Sequence, residues 1–172
     1  MKKFFLVGLV ALITFTSAKA QASFTTTVDD KNVTILKGII VKDDIANNAA
    51  FASWYGGNQT SYKTDTAVTN AMAAAKDKVQ YVVFGGTWCE DTQFILPKFF
   101  KLQEQSGVSE SDISLYGVDR SKKTLGNITN AFKITNVPTI IVMKAGKEIG
   151  RIVEYGKTGK WDTELGAMLK WQ

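Results

Sequence analysis

Histidine is absent from this 172-residue chain, cysteine occurs once, and proline occurs twice. Without histidine there is no Ser-His or Cys-His catalytic pair and no histidine-based zinc site. One cysteine, Cys89, cannot close an internal disulfide, so the thiol is either a reactive group or a link to another molecule. The phosphate-binding loop pattern is missing too: Gly85-Gly86 leads into Thr87-Trp88-Cys89 rather than Gly-Lys-Ser/Thr. No metal and no cofactor is therefore expected. Long hydrophobic runs are confined to Phe4–Phe15, which is too short to span a bilayer.

That run follows Lys2-Lys3 and precedes Ala18-Lys19-Ala20, the order of a secretory leader with a small-residue cleavage site. Residues 1–20 are expected to be a signal peptide and Gln21 the new N-terminus. The destination would be a bacterial envelope or beyond, periplasmic or secreted, without stable membrane insertion after cleavage. Cleavage removes three lysines and no acid, taking the formal net charge from +5 to +2. The remaining lysines are not gathered into a basic face; the short Lys122-Lys123 pair reads as solvated surface, so no nucleic-acid partner is expected. A hydrophobic content of 45% with 22% charged residues fits one globular domain with a real core.

Residues 32–41, NVTILKGIIV, read as a strand or as two strands bent at Gly38. Asp43 or Asp44 would cap a short helix running through Trp54. YGGNQTSYK, residues 55–63, reads as a loop, and its Asn58-Gln59-Thr60 as an exposed turn. Ala67, Val68, Ala71, Met72 and Ala75 recur at helical spacing, and residues 79–84, VQYVVF, have the continuous apolar run of a central strand. Glu90 to about Gln105 is helical, with Ile95, Phe99 and Leu102 as its core stripe and Phe94 and Phe100 counted with the core. A strand over 113–118, a weaker helix over 124–132, a hairpin over 138–156 turning at Ala145-Gly146, and a closing helix from Trp161 follow. Alternating strands and helices ending in a hairpin predict an α/β fold with a mixed sheet and helices on both faces. Trp54-Tyr55 would either line a groove or pack at a helix end.

Trp88-Cys89 directly after a buried strand, Pro97 eight positions beyond, and Val137-Pro138-Thr139 ahead of a hairpin resemble the thioredoxin superfamily. In that pattern a W-C-x-x-C motif opens a helix kinked by a proline, and a cis-proline loop faces the first cysteine. The similarity is to exported bacterial thioredoxin-like proteins and covers about residues 64–172, with residues 21–63 as an N-terminal extension packing on the core. The resemblance implies a thioredoxin-like mixed central sheet flanked by helices. It also implies that Pro138 is cis, that backbone near Val137 pairs with an extended substrate beside Cys89, and that Trp88, Glu90 and Asp91 border the substrate.

Two departures shape the expected chemistry. Thr92 stands where the family carries its second cysteine, and Val83 where it carries a buried acid. A helix-start cysteine faces unpaired N–H groups and the positive end of the macrodipole, which favour the thiolate. Glu90 and Asp91 oppose ionisation, and the Thr92 hydroxyl is expected to donate to the sulfur. A mixed disulfide at Cys89 cannot be resolved from within; release needs a thiol from the substrate or from a small molecule. The leading reading is monothiol thiol–disulfide exchange on exported proteins or small thiols, with Cys89, Thr92 and Pro138 as the catalytic set. The alternatives are a non-catalytic peptide-binding or chaperone-like module, and, ranked last, a thiol peroxidase.

Overall fold

The computed structural model describes residues 23–170. The proposed leader lies outside the described residues. Strands β1 (Phe24–Val28), β2 (Thr34–Ile40), β3 (Gln80–Gly85), β4 (Ile113–Gly117), β5 (Thr139–Lys144) and β6 (Lys147–Val153) form one sheet in the order β1-β2-β4-β3-β5-β6. Only β3 and β4 are parallel; the other neighbouring pairs run antiparallel. The helices are α1 (Lys42–Ala46), α2 (Tyr55–Ser61), α3 (Thr66–Ala75), α4 (Glu90–Ser106), α5 (Ile128–Ala131) and α6 (Trp161–Leu169). The fold is thus α/β, a mixed central sheet flanked by helices.

Period-two alternation along β3 explains how both faces are filled. Tyr81 and Val83 point into the larger core with Phe99 and Leu102 of α4, Met72 of α3 and Leu165 of α6. Phe84 points the other way, into a smaller core with Val118, Val137 and Ile141, against which Ile128 and Phe132 pack. Val83, the residue in place of the family's buried acid, is fully buried hydrocarbon.

β2 is continuous rather than split at Gly38, whose φ of +134° lets Ser23 O and the Phe24 backbone approach where a Cβ would stand. The helix expected to run through Trp54 is instead α1 followed by a 3-10 turn over Ala49–Phe51, with the Asp44 carboxylate accepting from Val41 N–H. Residues 55–61 form α2 and not a loop. Its two glycines face open space, and packing of the rest of the helix against α4 outweighs their weak helix propensity. The weaker helix expected over 124–132 shrinks to the single turn of α5. Strand β1 had no apolar run to announce it, because four of its five residues are exposed.

Pro97 lies inside α4, where its ring leaves the carbonyl of Gln93 without a helical donor. Asn58 of α2 supplies one: its Nδ2 donates to Gln93 O at 3.1 Å and to Trp54 O at 3.0 Å. The Asn58 side chain is therefore an internal clamp between α2 and α4 rather than part of an exposed turn.

Candidate functional site

The chain leaves β3 at Gly85, makes a turn closed by Cys89 N–H to Gly86 O at 2.9 Å, and enters α4 at Glu90. Cys89 is the N-cap residue, and its side chain does not cap the helix. The half-buried thiol turns outward from the helix and donates to Val137 O at 3.2 Å. The Val137–Pro138 bond is cis. Glu154 N–H donates to Pro138 O at 2.8 Å, and Thr139 Oγ1 donates to Asn136 O at 2.7 Å, which fix this loop from both sides.

Trp88 is half-buried, its indole Nε1 donates to Val118 O at 2.9 Å, and the Arg120 guanidinium lies 5.2 Å from its ring. Gly86 has no room for a side chain, since a Cβ there would lie 2.6 Å from the Trp88 indole nitrogen. Glu90 is exposed and Asp91 half-buried in the first turn of α4. Burial first, then the charge and hydrogen bond of Asp91, then Cys89 and Glu90, hold the Tyr155 phenol above its ordinary range.

The sequence reading of Thr92 needs correction. Its side chain is buried, and Thr92 Oγ1 accepts from Gly86 N–H at 3.2 Å, closing the β3–α4 turn. The sulfur's hydrogen bond runs to Val137 O instead. Phe94 is corrected as well: it is 41% exposed and meets Tyr155, itself 37% exposed, at 5.7 Å between ring centroids. Lys98, one turn further along α4, covers part of the Phe94 ring with its Nζ 2.8 Å from the centroid. Helical periodicity assigns Phe94 no unambiguous face, whereas Phe99 and Phe100 are buried as expected.

Trp88, Cys89, Glu90, Asp91 and Thr92 are thus gathered at one end of α4, across from Val137 and Pro138. Trp54 and Tyr55 part company: Tyr55 is core, and Trp54 is half-buried at a cleft. No sequence signal singles out Thr87. It is buried, its Oγ1 donates to Thr34 O at 2.9 Å and accepts from Leu36 N–H at 3.3 Å, and it thereby pins the turn before Cys89 to β2. Asp29, in the β1–β2 turn, is ion-paired with Arg120 at 2.5 Å. Among the described residues, no group of three or more cysteine, aspartate or glutamate side chains is arranged to hold a metal ion.

Residues 59–165 match the family model described as thioredoxin. Thioredoxin-1 of Saccharomyces cerevisiae is 31% identical over 94 residues, which is 55% of this chain and 84% of the yeast protein. Thioredoxin H9 of Arabidopsis thaliana is 28% identical over 117 residues, 67% of this chain and 77% of that protein. Among solved structures, a Pseudomonas aeruginosa protein of unknown function superposes with a TM-score of 0.54 at 16% identity, covering 76% of this chain and 92% of its own. That likeness concerns the fold.

Proposed function

Because the chain belongs to the thioredoxin family, we propose that it carries out thiol–disulfide exchange, and does so with Cys89 as its one participating sulfur. Family membership supports thiol–disulfide chemistry in general. The observation that carries the one-thiol form is the Cys89 sulfur at the start of α4, 3.2 Å from Val137 O, with Thr92 at the place of a second thiol.

In this reading the Cys89 thiolate attacks one sulfur of a substrate disulfide. A Cys89–substrate bond forms, the substrate's own bond breaks, and the other sulfur leaves as a thiolate that takes up a proton. The electron count is unchanged, so no external oxidant or reductant is consumed in this step. Loss of the thiol proton also frees Val137 O, the acceptor of the resting S–H, to receive a backbone N–H from the bound substrate. A second thiol, from the same polypeptide or from a small molecule, then displaces the substrate from Cys89. Isomerisation of wrong disulfides and removal of small-thiol adducts are the two net outcomes.

The lysine-led apolar stretch at residues 4–15 and the small residues around 18–20 support export, which would make exported proteins the substrates. Residues 1–20 are accordingly proposed as leader, 21–63 as an extension packed on the core, and 64–172 as the thioredoxin-like domain. The hydrogen bonds from Thr87 to β2 support the packing of the extension.

Incubation of the reduced protein with disulfide-bearing exported proteins should give mixed disulfides on non-reducing gels that vanish in Cys89→Ala. The exposed Phe94–Tyr155 pair beside Cys89 favours one second reading, a peptide-binding module in which the thiol is incidental. Equal retention of extended peptides by Cys89→Ala, with no trapped species in the parent protein, would replace the exchange reading with that one.

A further inference from the structure

A cleft of about 480 Å³ opens beside the Cys89 turn, between the end of the β1–β2 hairpin and the residues just before α2. All of its lining but Thr87 and Gln93 precedes residue 59, so it is built by the segment outside the family match. Those two residues sit two positions before Cys89 and one helical turn after it. We propose that this cleft is a substrate subsite for an uncharged, aromatic-bearing stretch of polypeptide flanking the cysteine that Cys89 attacks. The identity of that polypeptide as substrate rests on the exchange reading above.

The lining chemistry selects the occupant. No lining side chain carries a charge. A carboxylate or ammonium entering would lose hydration with no counter-charge to receive it. Trp54, half-buried, forms a wall with Phe51, their ring centroids 5.5 Å apart, and supplies the face on which another ring stacks. Asn58 Nδ2 holds the Trp54 carbonyl, so the position of that wall is tied to α4. Asn32, Ser53 and Gln93 place amide and hydroxyl groups in the same cleft, suited to backbone N–H and C=O groups. Gln93 Nε2 donates to Thr87 O at 2.8 Å, which leaves its Oε1 to accept.

Sheet order sets the direction of the substrate. β5, which follows the Val137–Pro138 loop, lies on one side of β3, and β4 and β2 lie on the other. An extended chain crossing Cys89 from the proline loop therefore runs on toward the cleft. Thr87 and Cys89 are two chain steps apart, at most about 7 Å, so the side chain received is two or three positions from the attacked cysteine.

The probes are peptides Ac-Gly-Xaa-Gly-Cys-Gly-amide carrying thionitrobenzoate on the cysteine, with Xaa as Phe, Ala, Asp or Lys. Release of the coloured thiolate reports attack by Cys89. The Phe peptide should react about tenfold faster than the Asp and Lys peptides. Ser53→Trp and, independently, Ala50→Trp, both at exposed lining positions, should fill the cleft and bring all four rates within about twofold of one another. Ala50→Trp should keep the parent rate with hydroxyethyl disulfide, a probe too small to reach the cleft. Equal rates for the four peptides on the parent protein, or a Phe preference surviving both fillings, overturn the proposal.

If the parent protein reacts with none of these disulfides, the exchange reading falls and the subsite is judged by binding alone. In that case the serine-for-cysteine Phe peptide should shift the Trp54 indole N–H resonance and the Asp peptide should not. No shift, or a larger one with cellotriose than with the Phe peptide, overturns the subsite as well.

Discussion

At the scale of single residues, the informative contrast is between Cys89 and Thr92, neighbours at the head of α4 with opposite commitments. Cys89 spends its one hydrogen bond on the proline loop, while Thr92 spends its hydroxyl on Gly86 N–H. Thr92 therefore supports the geometry of the turn, and a role in activating the sulfur is a separate claim that a single variant separates. Thr92→Val keeps the shape of the side chain and leaves the Gly86 N–H without its acceptor. The expected loss is about 1–3 kcal/mol of unfolding free energy, the cost of a buried donor left unpaired. Urea unfolding followed by circular dichroism measures that loss, and iodoacetamide alkylation of Cys89 measures the thiol. A role confined to the turn predicts an alkylation rate within about threefold of the parent. A drop of tenfold or more at unchanged fold would restore Thr92 to the chemistry.

At the scale of elements, α4 carries a defect and α2 carries its repair. The helix holds Pro97 in its interior, and the carbonyl that proline leaves without a donor is satisfied from outside by Asn58. Asn58→Ala should cost about 1 kcal/mol by leaving that part-buried acceptor short of a donor. Asn58→Asp should cost more at neutral pH, since it sets a carboxylate against the Gln93 and Trp54 carbonyls. Its deficit should shrink on acidification, as protonation restores a donor. Thermal unfolding of the two variants at pH 7 and pH 4 tests the order, and an aspartate variant as stable as the alanine one at both pH values would refute the clamp.

Long apolar elements are legible in the sequence: the β3 run, the α4 stripe and the β5–β6 hairpin all lie where their patterns put them, because each buries a continuous face. The elements that eluded the sequence owe their form to tertiary contacts. α2 is glycine-rich and is held by α4, β1 is nearly all exposed and is held by β2, and Phe94 is turned outward by its place on α4. The site was half legible for the same reason. Cys89 and Pro138 are marked by their rarity, whereas Thr87, Tyr155 and the Asp29–Arg120 pair join distant parts of the chain with common residue types.

At the scale of the whole molecule, consecutive residues after β4 join the N-terminal hairpin to the reactive turn. Asp119 pairs with Lys37 of β2 at 2.7 Å, and Arg120 pairs with Asp29 while lying against Trp88. The N–H of Val33 chiefly holds the Asp29 carboxyl below its ordinary range; desolvation, the next largest influence, opposes it and is outweighed by Val33 together with Arg120 and the N–H of Lys31. Burial alone would raise Asp119, but Lys37 and the N–H groups of Lys123 and Ser121 outweigh it and lower that carboxyl as well. A carboxyl depressed in the folded state binds its proton more readily when unfolded, so its stabilisation is complete above the unfolded value, about 3.9, and is lost as pH falls through the folded value. Both carboxylates serve the same junction, so acid should release the hairpin before it opens the sheet centre. Hydrogen exchange corrected for intrinsic rates should show Lys31, Val33 and Leu36 amides losing protection below about pH 4 while β3 and β5 amides keep theirs. In Asp29→Asn/Asp119→Asn the hairpin should already be less protected at pH 6, with little further loss on acidification. Simultaneous loss across hairpin and sheet centre in the parent protein, or a hairpin indifferent to both pH and substitution, would show that these ion pairs do not hold the N-terminal segment to the site.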